Sequence, residues 1–107
     1  MLNRVELLGY LGGDPNYRVA RNGLPVSNFR LATTETYTQN GEIQEHTEWH
    51  TILCFGKLAE LVRDRLKTGN KVYVEGALRT RKWEPAPGDP EVERKVTEIR
   101  ANKVIFF

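Results

Sequence analysis

The chain has 107 residues, which is enough for one compact domain covering residues 1–107. Its 39% apolar and 28% charged residues are typical of a globular domain, and no apolar run is long enough to cross a membrane. The net charge of +2 hides an asymmetry: residues 56–83 carry eight Lys and Arg against three acids, whereas residues 35–48 carry four Glu and no Lys or Arg. A polyanionic partner would be attracted to the first segment and repelled by the second.

Five strands are predicted in chain order, at about Asn3–Leu11, Val26–Tyr37, Thr47–Phe55, Lys71–Trp83 and Val92–Phe107. A short extended piece, Tyr17–Ala20, precedes a hairpin signal at 21–23. Phe29 and Leu31 alternate inward on the second strand. Asn40 and Gly41 are placed near the tip of a long hairpin loop before the third strand.

One helix is predicted at Lys57–Leu66, because Leu58, Leu61, Val62 and Leu66 recur at helical spacing. The helix falls between the third and fourth strands. Five strands with one helix in this position are the plan of an all-β OB-fold barrel.

The fourth strand predicts a binding face. Side chains alternate across a strand, so Arg79, Arg81 and Trp83 share one face. The aliphatic alternation on the other face predicts burial at Val72, Val74, Gly76 and Leu78. Cations beside a flat ring suit a single nucleic-acid strand, because cations neutralise phosphates and bases stack on rings.

Three further aromatic residues are candidate stacking platforms. Trp49 and Phe55 lie on one face of the third strand, about 20 Å apart at the usual strand rise, and Tyr37 ends the second strand. An aromatic residue in a small barrel is often part of the core instead. Trp83 is the exception, because its sequence neighbours are charged.

The remaining charged and reactive residues divide into candidates and exclusions. Lys57, Lys82 and Arg4 are secondary candidates for phosphate contact, whereas the basic residues of the helix are expected to be solvated. No metal or other cofactor is predicted, because His46 and His50 would lie about 13 Å apart on a strand. No catalytic motif occurs, so no enzyme activity is expected. The single Cys54 excludes an internal disulfide, and its neighbours Leu53 and Phe55 predict that it is buried. A reducing, cytoplasmic location fits a chain with one cysteine.

Several sequence blocks together resemble the bacterial single-stranded DNA-binding protein family, and the likeness spans about residues 2–105. The blocks are Gly9-Tyr10-Leu11-Gly12, Asp14-Pro15, Phe29-Arg30-Leu31-Ala32-Thr33, Thr47-Glu48-Trp49-His50, Phe55-Gly56-Lys57-Leu58-Ala59-Glu60, Val72-Tyr73-Val74-Glu75-Gly76 and Leu78-Arg79-Thr80-Arg81-Lys82-Trp83.

The resemblance implies an OB-fold subunit, usually of a homotetramer, that coats single-stranded DNA during replication, repair and recombination. It implies base stacking at Trp49, Phe55, Trp83 and the position of Tyr37, and a subunit contact at His50. Members usually carry basic residues in the loop after the second strand and an acidic C-terminal tip. The loop has Glu42 and Glu45 here, and the sequence ends in Phe107, so recruitment of replication proteins is not assigned to these residues.

The sequence therefore predicts non-catalytic, sequence-independent binding of single-stranded DNA by a homotetramer, with a homodimer as the alternative, near the nucleoid and away from membranes. Two other functions remain open. One is a dimeric OB-fold adaptor of replication restart with secondary nucleic-acid binding. The other is RNA binding by the same face, since no residue pattern detects a 2′-hydroxyl.

Overall fold

The computed structural model describes residues 1–83 and 94–107, and for Trp83 and Arg94 it describes the backbone only. Six strands and one helix are formed by these residues. In chain order they are β1 (Val5–Leu11), β2 (Asn16–Val19), β3 (Pro25–Gln39), β4 (Glu42–Phe55), α1 (Lys57–Arg65), β5 (Lys71–Trp83) and β6 (Arg94–Phe106). At nine residues, α1 is too short to span a bilayer, and the described residues form no helix that could do so.

The strands form one sheet in the order β1-β5-β6-β4-β3-β2, and pairing of β1 with β3 closes five of them into a barrel. β2 lies outside this closed circuit and, among residues 1–83 and 94–107, pairs with β3 alone. The predicted all-β barrel with one helix is thus confirmed, and its architecture is that of an OB-fold. The helix was predicted between the third and fourth strands. This position was wrong, because α1 lies between the fourth and fifth strands.

The extra strand explains that difference. The piece predicted as merely extended forms an antiparallel ladder with β3, in which Arg18 pairs with Val26. The connecting turn is closed by hydrogen bonds between Ala20 and residues Gly23 and Leu24. Gly23 adopts a φ of 85°, which a glycine tolerates without strain.

The core fills the barrel and is closed on one side by α1. Inward residues of β3, β4 and β5 are fully buried, as the alternation predicted for Phe29 and Leu31, and Cys54 is buried among them. Burial raises the pKa of the Cys54 thiol to about 12, so the thiol stays protonated. The helix buries Ala59 and Val62, and the buried Ser27 hydroxyl of β3 donates a hydrogen bond of 2.6 Å to the Ala59 carbonyl.

The prediction of a buried Leu78 was wrong, since this side chain is 52% exposed. The ladder between β1 and β5 ends at Val5 and Gly76, so Leu78 lies beyond the barrel wall. Beyond that point the Asn3 side chain makes the hydrogen bonds that a neighbouring strand would make to Leu78. Its amide nitrogen donates to the Leu78 carbonyl and its amide oxygen accepts from the Leu78 N–H, both at 2.9 Å. β5 continues with β6 as a two-stranded ribbon up to the backbone pair of Trp83 and Arg94.

The connection between β3 and β4 was also predicted incorrectly. Instead of a long loop, the two strands stay paired from Val26 and Phe55 to Gln39 and Glu42. Asn40 and Gly41 form a two-residue turn with φ values of 53° and 77°. Asn-Gly favours this turn, and the resulting ribbon extends well beyond the barrel.

Candidate nucleic-acid interface

The outer faces of five strands surround a hollow of about 490 Å³, called here the arginine hollow. Four of its lining residues are arginines and one is an acid, so its local charge is positive. The lining residues are Arg18, Val26, Asn28, Leu53, Phe55, Arg79, Arg81, Glu98 and Arg100.

Phe55 supplies the aromatic surface of this hollow. Odd-numbered residues of β4 point outward, because Ile52 and Cys54 fill the core. The ring is half-buried, and the guanidinium carbon of Arg100 lies over it, 4.4 Å from the ring centroid. This geometry is a cation–π contact that places a positive charge over the face of a potential stacking surface.

Arg79 and Arg81 line the same hollow, as their shared parity on β5 predicted. Both residues are exposed. The Arg81 Nε donates a hydrogen bond of 2.5 Å to the Glu98 carboxylate, and Glu98 is almost fully buried. The side chain of Trp83, predicted to share this face, lies outside the described residues.

Trp49 occupies a neighbouring hollow of about 390 Å³, called here the tryptophan hollow. The indole is 47% exposed, and the guanidinium carbon of Arg30 lies 5.0 Å from its ring centroid. The ring also packs against the backbone of Gly12, where a β-carbon would approach the indole to 2.2 Å. Asn28 lines both hollows, so the two form one continuous outer surface.

Tyr37 lies apart from these hollows, on the ribbon that β3 and β4 form beyond the barrel. It is exposed and pairs with Gln44. The Trp49 partner on β3 is Ala32, and Tyr37, five residues further along an unbroken ladder, has the opposite parity. Alternation places Tyr37 on the ribbon face that also carries Glu35 and its partner His46.

The secondary cations and His50 are dispersed. Lys57 is exposed at the start of α1, and Lys82 is exposed on β5 with a parity opposite to that of Arg81. Arg4 forms ion pairs with Glu6 at 2.6 Å and with Glu75 at 2.7 Å. Its hydrogen bond to Glu6 raises the pKa of Arg4 most, with the charge of Glu75 adding to the effect.

His50 is half-buried, and its Nε2 lies 2.7 Å from the Thr33 hydroxyl across the β3–β4 ladder. It also lines a shallow groove beside Trp49, Leu78 and Ile99. His50 is therefore held in place by its own chain while remaining partly accessible.

Residues 2–107 match the model of the single-strand binding protein family. The chain belongs to that family. A solved structure described as the Plasmodium falciparum SSB complex with ssDNA matches with a TM-score of 0.87 and 32% identity, covering 100% of this chain and 96% of that chain. The family membership confirms the prediction of a non-catalytic protein that binds single-stranded DNA.

Three arginines of the two hollows were missed by the sequence reasoning: Arg18, Arg30 and Arg100. A signal existed for Arg30, which alternates with the inward Phe29 and Leu31 and must therefore point outward. Arg100 has a similar local signal, since it lies between the inward Ile99 and Ala101, but the buried Glu98 and the register shift beyond Ala101 interrupt the alternation of β6 on either side.

Proposed function

We propose that this protein coats single-stranded DNA without sequence preference, in replication, repair and recombination. The main support is the continuous outer surface formed by the arginine hollow and the tryptophan hollow. It offers four guanidiniums around Phe55 and a fifth over Trp49. These groups recognise the phosphates and ring faces that every nucleotide carries, so no base is preferred.

The cation–π contacts suggest how the two rings accept bases. A guanidinium lies over each ring, with Arg100 over Phe55 and Arg30 over Trp49. Guanidiniums are planar and stack on bases as well as on rings. We infer that each arginine moves against the phosphate or onto the base as the strand binds, which keeps charge and stacking at the same place.

The other predicted contacts extend this path. Trp83 would bind the strand beyond the arginine hollow, because it continues the parity of Arg79 and Arg81 along β5. Lys82, with the opposite parity, and Lys57, at the start of α1, would contact the strand only where it leaves this face. Arg4 would do so only in exchange for its pairing with two carboxylates. Tyr37 is the weakest candidate, because the adjacent acids of its ribbon face repel phosphates.

Assembly into a homotetramer is supported by a band of apolar side chains on the outer face of β1, β5 and β6. Leu8 pairs with Tyr73, which pairs with Ile105, so the three lie in one row. In the next row Tyr10 pairs with Lys71, and the Lys71 ammonium lies 5.4 Å from the ring centroid of Phe107, which is 75% exposed. A second copy of the chain would cover these exposed apolar side chains. His50 is retained as a candidate subunit contact.

A tetramer would also explain how a small basic surface can hold a long strand. Each chain offers a short path, and linked copies raise the local concentration of binding sites. We place the protein at the nucleoid in the cytoplasm, where single-stranded DNA is formed.

The test is a titration of intrinsic tryptophan fluorescence with oligo-dT of increasing length, combined with light scattering of the free and bound protein. Coating predicts quenching, and the number of protein molecules bound rises in proportion to strand length. Light scattering should give a mass of four chains per particle. A mass of two chains would support the homodimer instead. Binding of a fixed number of proteins to every length would favour the replication-restart adaptor, and stronger competition by oligo-U would favour RNA.

A further inference from the structure

The arginine hollow contains a buried carboxylate, which is unexpected at a surface that binds an anion. The Glu98 side chain is 4% exposed, whereas that of its partner Arg81 is 57% exposed. The same Glu98 stands opposite Arg79 in the β5–β6 ladder and two residues before Arg100 on β6. A negative charge among these arginines opposes an approaching phosphate, so its position requires a physical reason.

The atom that Glu98 binds supplies this reason. The carboxylate accepts from Nε of Arg81, at 2.5 Å. A guanidinium has five N–H donors, of which one is on Nε and four are on the two terminal nitrogens. The terminal N–H groups stay available to bind a phosphate in a bidentate manner. A side chain held at Nε has lost much of its rotamer freedom before DNA arrives, so less entropy is lost on binding. The ion pair also cancels most of the charge that Arg81 would add.

We propose that Glu98 is a positioning residue that makes Arg81 an oriented but charge-compensated hydrogen-bond donor to the DNA. The inference rests on the proposed function and assigns different tasks to two arginines of one face. Arg79, without a carboxylate bound to it in the described part of the chain, supplies salt-dependent attraction. Arg81 supplies oriented hydrogen bonds to the phosphate and contributes little to the salt dependence of binding.

A purely structural role for the pair makes a different prediction. If Glu98 and Arg81 only join β5 to β6, neutralising the carboxylate changes the melting temperature and leaves the salt dependence of DNA binding unaltered. The slope of log K against log salt therefore separates the two roles. For single strands this slope is about −0.7 for each phosphate neutralised.

The decisive variant is Glu98→Gln, which keeps the size of the side chain and an oxygen that can accept from Nε. Oligo-dT affinity is measured across a salt series for the wild type and the variant. We expect the variant to show a slope steeper by about 0.7, because Arg81 then acts as a full charge. The matched control is Asp64→Asn, which removes an acid paired with Arg63 at 2.8 Å on α1. Its line should run parallel to that of the wild type.

A parallel line for a folded Glu98→Gln protein would overturn the assignment. A second variant, Arg81→Lys, tests the role of Glu98 independently of Glu98→Gln. It keeps the positive charge beside Glu98 but removes the planar guanidinium and its bidentate donors. Its affinity should fall several-fold at every salt concentration with an unchanged slope, and unchanged affinity would also overturn the role of Glu98. Failure of the wild type to bind oligo-dT would instead contradict the proposed function itself.

Discussion

The packing of the Trp49 ring against Gly12 predicts how a substitution at Gly12 affects DNA binding. In Gly12→Ala the new β-carbon would lie 2.2 Å from Cζ3 and 2.7 Å from Cη2 of the indole. The backbone of Gly12 is held by a hydrogen bond of 3.0 Å from its amide to the Arg30 carbonyl. Because Trp49 is half-exposed, we expect the ring, rather than the backbone, to move and to leave the tryptophan hollow.

The magnitude follows from what the ring does in each state. Loss of one stacking platform weakens single-strand binding by about 1–3 kcal/mol, which is roughly a 5- to 140-fold loss of affinity. Folding should change much less, because the displaced ring moves into solvent and gives up an exposed cation–π contact with Arg30 worth about 0.5–1 kcal/mol.

The assay is oligo-dT titration at fixed salt, with urea unfolding to check stability. Gly13→Ala is the matched control, since a β-carbon at Gly13 meets no atom within 4 Å. It should bind DNA like the wild type. Wild-type affinity in a folded Gly12→Ala protein would refute the reasoning, because it would mean that Trp49 either keeps its place or does not contact the strand.

Three further predictions concern the stacking face, the core and the pH dependence of stability. Trp83→Ala should weaken oligo-dT binding by about 1–3 kcal/mol with an unchanged circular dichroism spectrum, and equal binding would count against this stacking platform. Ser27→Ala should lower the free energy of unfolding by about 1 kcal/mol, measured in urea, because it removes the buried bond to the Ala59 carbonyl. Hydrogen bonds from the amide and hydroxyl of Thr68 lower the pKa of Asp14. The Asp14 carboxylate therefore stabilises the fold above its unfolded pKa, and this contribution is lost as the pH falls through the lower folded pKa. The stability of Asp14→Asn should consequently fall less than that of the wild type on acidification; equal losses would argue against this linkage.

Much of the barrel could be predicted because alternation is a local property of the chain. Phe29 and Leu31 follow the period of two that a half-buried strand requires, and they are buried. The same parity correctly placed Arg79 and Arg81 together in the arginine hollow. The prediction failed at Leu78 because the end of the β1 ladder, which removes its cover, depends on a partner strand more than 60 residues away in the sequence.

The sequence by itself determined the class of the protein: strand and helix periods, a basic face and family blocks suffice for an OB-fold that binds single-stranded DNA. Only the tertiary structure decided which residues act together. It brings Arg100 of β6 over Phe55 of β4 and seats Glu98 against Arg81 of β5. These contacts depend on the pairing of distant strands, and no periodicity within one strand encodes that pairing.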